Sequence, residues 1–400
     1  MKLFQSLLVA PAALGLMAPL AVNASEVNLN DISTYSELDT VGFSNSFNKD
    51  EAKDNQLIAG GEGLVSGSSY DGGFSETTTA SFSTDFYLGS FDGGTTGTNE
   101  PIMATYGFQI DLNTSFTGED SLDISLDAGN TAGVAGGSPT TSVLEFDGNA
   151  TADAVNVDGV SYTFPLGGAT VFVADNGDAS ALFTTACTYG GPTNTLDDCG
   201  LVNAAPTAGG TAFGGSYDFG NGFVAAVGYQ TVVDAPNNGI MTDESRDAYA
   251  VNGSYTGSNY GVSLTYANIE DGVGGNTPEQ WKEDTYTAIN GYWSPEGEGL
   301  PSISVGYEIG DDASATDLDE ITSFFVGLQW DDAFGPGSFG VAAGHSNTVE
   351  SADEEYMYEA YYAYPVNDGM TITPVIFTKE SATAGQSDAT GIMVKTSFSF

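Results

Sequence analysis

From Thr77 to Phe400 apolar residues recur at every second position, in stretches joined by connections that alternate between short and long. Ala80, Phe82, Phe86 and Leu88 alternate with Ser81, Ser83, Asp85 and Tyr87, and Phe108, Ile110, Leu112 and Phe116 with Gln109, Asp111, Asn113 and Ser115. Leu122, Ile124, Leu126 and Ala128 then alternate with Asp123, Ser125 and Asp127. A period of two is that of a strand with one apolar and one wet face. The short connections are 117–120, 167–168, 220–222, 257–259, 294–300, 331–337 and 367–369; the long ones are 89–102, 129–154, 175–209, 234–245, 271–281, 310–319, 347–355 and 380–389. Seven short and eight long connections imply 16 strands with both ends on the same side. A sandwich or a solenoid has no reason to distinguish two sides, whereas a barrel crossing a membrane does. The expected fold class is therefore all-β: a transmembrane antiparallel β-barrel over 75–400, with short periplasmic turns and long extracellular loops.

The last strand fits this expectation. In GIMVKTSFSF, Ile392, Val394, Thr396, Phe398 and Phe400 share one face, while Met393, Lys395, Ser397 and Ser399 share the other. A closing strand that is apolar outward and ends on an aromatic residue marks Phe398 and Phe400 as the assembly signal, presented to barrel-assembly machinery. Phe219, Phe223, Tyr260, Trp293, Trp330, Phe339 and Tyr364 lie beside short turns, and Tyr106, Tyr229, Tyr249, Tyr266, Tyr307 and Tyr356 beside long loops. These are two candidate girdles at the two membrane interfaces.

The N-terminus combines Lys2, an apolar stretch from Leu7 to Met17 and Val22-Asn23-Ala24, the order of a secretory signal peptide over 1–24. A polar lead-in over 25–74, partly disordered, is expected to follow in the periplasm. No later run of about 18 apolar residues exists, which excludes a helical membrane protein. Fifty-four acidic against seven basic residues give −47, and removal of Lys2 takes this to −48. Such a charge excludes nucleic acid as a partner. Fifty-three Gly, 20 Tyr and 23 Phe suit tight turns and lipid-facing strands, so helix should be scarce.

Catalytic chemistry finds little to build on. His345 is the only histidine, and its register places it outward near the upper end of its strand, as an interfacial packing residue. Phosphate-cradling glycine motifs, CxxC, HExxH, EF-hand spacing and nonapeptide calcium repeats are missing from the sequence. No enzymatic function and no cofactor or metal are expected. Cys187 and Cys199 fall in the longest loop of an exported chain, which favours a disulfide. With the two cysteines 12 positions apart, the bond is worth about 3 kcal/mol on an entropic estimate. It serves either as a staple on an outer loop or to stiffen a loop that folds inward and narrows a pore.

The opening MKLFQSLLVAPAALGLMAP, the following VNLNDISTYS and the hairpin GFQIDLNTSFTGEDSLDISLDAGN resemble the cyanobacterial outer-membrane porins of the carbohydrate-selective (OprB-like) family. The resemblance implies a 16-stranded diffusion pore, usually a homotrimer, for small solutes and inorganic ions, in some members with sugar or iron uptake. Family members usually carry an S-layer homology domain ahead of the barrel, and between Ser36 and Phe74 its helix and turn signatures are missing.

The residues alone assign Asp85, Asp111, Asp123, Asp127, Glu308, Glu359 and Lys395 to the pore lining. Small inward residues, Gly340, Ala342 and Gly344 with Ala248, Ala250 and Asn252, are expected to leave room for a channel. A passive outer-membrane porin in contact with lipid is the leading expectation. The alternative is a structural or surface-recognition barrel with a plugged lumen.

Overall fold

A computed structural model describes residues 78–94, 102–130, 151–207, 209–232, 239–242, 245–272, 281–297, 299–312, 319–332, 334–350, 353–381 and 387–400. The signal peptide, the lead-in and the segment compared with an S-layer homology domain lie outside these residues. The strands are β1 (Thr78–Gly94), β2 (Met103–Thr114), β3 (Ser121–Gly129), β4 (Asn156–Leu166), β5 (Ala169–Gly177), β6 (Gly210–Gly220), β7 (Phe223–Thr231) and β8 (Asp247–Thr256). They continue as β9 (Tyr260–Gly272), β10 (Trp281–Trp293), β11 (Ser302–Asp312), β12 (Asp319–Asp331), β13 (Ser338–Val349), β14 (Met357–Asn367), β15 (Met370–Lys379) and β16 (Ser387–Ser399). Each pairs antiparallel with its sequence neighbours, and β1 pairs with β16, so the sheet is a closed barrel of 16 strands.

Closure leaves no edge strand, which is what a sheet in hydrocarbon requires. The β1–β16 seam runs from Ser83 paired with Ser399 to Gly94 paired with Ser387, and Phe400 extends it: the Phe82 and Phe400 amides each donate to the other's carbonyl, at 2.9 and 3.0 Å, and the two rings stack at 5.5 Å. Phe398 meets Phe86 edge-on at 6.1 Å. The outward faces carry Phe86, Leu88, Val173, Val227, Val251, Leu264, Ile289, Val305 and Ile376, all exposed, as a lipid-facing wall needs. His345 shares that face, between Phe324 and Tyr356, and its Nδ1 lies 2.9 Å from the Thr348 hydroxyl.

The inner face solves a space problem with glycine. Phe172 stands directly across from Gly214, Tyr286 from Gly310, Tyr361 from Gly340 and Phe377 from Gly391. At each glycine a Cβ would run into the facing ring, so the aromatic side chain lies down on the wall. Among the described residues the only helix is α1 (Asn194–Asp197), four residues long, and it belongs to the segment inside the barrel.

Candidate functional site

Residues 178–207, in the connection between β5 and β6, enter the lumen and form a strap along the inner wall. The backbone amides of Thr184, Ala186, Thr188 and Gly190 donate in turn to Asn252 Oδ1 on β8, Ser263 Oγ on β9, Ser304 Oγ on β11 and Gln329 Oε1 on β12, at 2.9 to 3.1 Å. The spacing is mechanical. Two residues of extended chain advance about 6.7 Å and strands lie about 4.8 Å apart, so alternate amides should step about 1.4 strands at a time. Three steps from β8 to β12 match that. Upstream, the Ala179 amide donates to Gln230 Oε1 on β7 at 2.6 Å.

The strap then turns back. Tyr189 OH donates to Glu359 Oε1 on β14 at 2.6 Å, and the Thr193 hydroxyl bonds Glu359 Oε2. The Cys199 carbonyl accepts from Asn290 Nδ2 at 2.8 Å. The amides of Val202, Asn203 and Ala204 and the Asn203 side chain converge on the Glu308 carboxylate on β11, at 2.9 to 3.0 Å. Wall glycines make the seats: a Cβ at Gly228 would collide with the Ala179 carbonyl, one at Gly306 with the Cys199 carbonyl, and one at Gly344 would press on Leu196.

Two apolar clusters fill the space beneath. One joins Tyr189, Leu196 and Cys199 of the strap to Phe325, Ala342, Met357, Tyr361, Phe377, Met393 and Tyr87 of the wall. The other joins Leu201 and Ala204 to Tyr286, Ala288 and Ile321. Cys187 and Cys199 are joined by a disulfide that ties the outbound limb to the returning one. The Tyr189 hydroxyl is pushed above its ordinary value, first by burial and then by the Glu359 charge.

The expected pore-lining residues divide into two groups. Asp85, Asp111, Asp123, Asp127 and Lys395 face inward on β1, β2, β3 and β16 and are half-buried; Tyr87 of β1 and Met393 of β16 share the strap's apolar cluster. Three of these carboxylates have neutral donors or a cation beside them. Asp111 accepts from Gln109 and Ser125, and Asp123 from Asn113 and Ser121. Asp85 lies 3.2 Å from Lys395 Nζ, which also sits over the Tyr87 ring. Glu308 and Glu359 also face inward but are 1% and 4% exposed, so they hold the strap and do not line open lumen.

The small inward residues also differ from expectation. Ala248 and Ala250 are buried, Asn252 bonds the strap, Gly340 underlies the Tyr361 ring, and Gly344 seats Leu196. Their smallness makes room for the strap and for rings laid on the wall. Open space lies instead between the β3–β5 wall and the ends of the strap, a cavity of 460 Å³ lined by residues including Asp123, Ser125, Ser161, Thr163, Asp178 and Thr207.

Sequence reasoning missed Gln230, Asn290, Ser263, Ser304 and Gln329 as strap anchors, and Tyr189 and Thr193 as the strap's own donors. The available signal was a row of inward amide and hydroxyl side chains on neighbouring strands.

No protein-family model matches the chain, and none of the curated proteins matches it. Solved structures do match. OprB of Pseudomonas putida, at high pH, is 14% identical with a TM-score of 0.55 over 81% of this chain and 94% of that one. A loop L8 deletion form of OmpT, an outer membrane protein of Vibrio cholerae, is 10% identical with a TM-score of 0.53 over 81% of this chain and all of that one. OmpT folded in vitro, in a trimer form, gives the same 10% and 0.53. At these identities the likeness is one of fold. The closed 16-strand wall and its lipid-facing exterior define the class: an integral β-barrel of the outer membrane.

Proposed function

We propose that the protein is a passive diffusion porin for small hydrophilic solutes and inorganic ions. The observation that carries this reading is the strap: its hydrogen-bond anchors lie on β7 to β14, while Asp85, Asp111, Asp123 and Asp127 on the wall of β1 to β3 face inward and are only half-buried. A strap that narrows a polar lumen from one side is how a wide barrel acquires a size limit. Catalysis is not part of the reading. The segments that resemble the OprB-like porins support placing the chain with them, and sugar or iron uptake and a homotrimeric assembly belong to this proposal. The trimer form of the Vibrio cholerae protein is consistent with that assembly.

The four basic residues within the described barrel support a preference for cations. Arg246, Lys282 and Lys379 stand at strand ends beside long loops, and Lys395, deeper in β16, is paired with Asp85. Among the described residues no basic cluster opposes the acidic wall. Because neutral donors already solvate Asp111 and Asp123, a hydrated cation passes them without a tight site, and the preference is weak.

Single-channel recording of the purified protein in planar bilayers tests the reading. Stepwise conductance increments in symmetrical potassium chloride are expected. Assembled, heat-modifiable barrels that insert and do not conduct would favour the plugged, surface-recognition barrel.

A further inference from the structure

We infer that Glu308 and Glu359 are positioning residues that set the width of the channel by clasping the strap, with the Cys187–Cys199 disulfide secondary to them. The inference rests on the channel reading above. Residues 178–209 contain Asp178, Asp197 and Asp198 and no Lys or Arg, so no side-chain ion pair fastens the strap to a carboxylate on the wall. Attachment to a wall carboxylate has to come from the strap's N–H and O–H donors. At Glu308 three successive backbone amides, from Val202 to Ala204, point at one carboxylate, and the Asn203 side chain adds a fourth donor. Such a cradle of amides is an anion site made by the backbone itself, and its bonds are charge-assisted.

Removing the carboxylate would leave those amides without an acceptor beside Leu201, Ala204, Tyr286, Ala288 and Ile321. The limb then has to lift toward water to satisfy them. At Glu359 the Tyr189 and Thr193 hydroxyls play the same part for the outer turn, and Gly191 lets the carboxylate approach, because a Cβ there would collide with Oε1. The disulfide differs in kind. Both cysteines belong to the strap, so the bond ties the strap to itself and not to the wall.

The test is single-channel conductance of the full chain, with barrel assembly checked by heat-modifiable mobility. E308Q, which turns an acceptor oxygen into an amide facing N–H donors, is expected to raise conductance by at least about 1.5-fold and to add open-channel noise, since the constriction governs resistance. E308D should restore part of the parental value, and E359Q should act in the same direction. N203A and Y189F, which alter only the strap, are expected to give smaller increases. The paired C187S/C199S change should give a smaller increase than E308Q.

Assembled E308Q with parental conductance would overturn the inference, as would C187S/C199S matching or exceeding it. If E308Q does not assemble, N203A and Y189F decide: parental conductance in both overturns it. A parent that never conducts defeats the channel reading itself, whereas a conducting parent with indifferent variants defeats only the clasps.

Discussion

A carboxylate in this barrel takes its role from the donors around it. Asp120, in the turn between β2 and β3, accepts from the Ser115 and Thr117 hydroxyls, the Phe116 and Thr117 amides and, across to β4, the Tyr162 hydroxyl at 2.7 Å. The Tyr162 hydrogen bond above all, opposed by desolvation and aided by Thr117 and Ser115, holds its carboxyl well below the usual range. A depressed value means stability that is present above the ordinary carboxylate value and lost only as pH falls through the depressed one. Acidification from pH 7 to about 4 should therefore leave this turn intact. Asp120→Ala, by contrast, removes the shared acceptor of these donors and is expected to lower the temperature at which the barrel loses its heat-modifiable mobility; a parental transition would show that the turn holds without it.

At the scale of the element, β16 and the strap place opposite demands on sequence. β16 must close a wall in lipid, and the Phe82–Phe400 pair ends its seam with β1. Phe400→Asp puts a charge where the ring stacks, and membrane-assembled protein is expected to fall severalfold; normal levels would remove Phe400 from any role in assembly. The strap must instead fit a finished wall. Gly306→Val fills the space of the Cys199 carbonyl and is expected to displace the returning limb at a cost of about 1–3 kcal/mol, read as lower thermal stability with increased conductance. Deleting residues 187–200 removes the outer turn with its disulfide and should raise conductance further. A deletion variant that conducts like the parent would leave this part of the strap outside the constriction.

For the whole molecule, sign matters more than sum. Most of the formal charge of −47 is distributed along the chain, whereas ions in the lumen respond to charges within about a Debye length, roughly 8 Å at physiological salt. The relevant groups are Asp85, Asp111, Asp123 and Asp127, with Asp158, Asp175 and Asp178 around the cavity, against Lys395. Reversal potentials in a potassium chloride gradient are expected to have cation-selective sign and small size. D111N/D123N should move them toward zero. An anion-selective potential in the parent would mean that Lys395 dominates despite its pairing with Asp85.

Much of this architecture was legible in the chain. The period of two, the aromatic residues at strand ends and the alternating connections are local properties, each written within a few neighbouring residues. Strand number, closure, inward and outward faces and the long 175–209 connection could therefore be read directly; most strands run to within a few residues of the expected bounds, while β1 extends to Gly94, into the expected 89–102 connection. The period also marks Glu308 and Asp111 alike as inward. It cannot tell that one is buried under a strap and the other borders open lumen.

That difference depends on contacts between residues far apart in sequence, such as Asn203 with Glu308 across 105 positions and Tyr189 with Glu359 across 170. Such pairs leave no periodic trace, because what selects them is the curvature of the closed wall, the glycine seats and the reach of a strap anchored at β5 and β6. The sequence by itself determined a barrel with a wet interior. Only the tertiary structure decided which half of that interior is filled, since burial and hydrogen-bond satisfaction at the wall exist only once the sheet has closed and the strap lies against it.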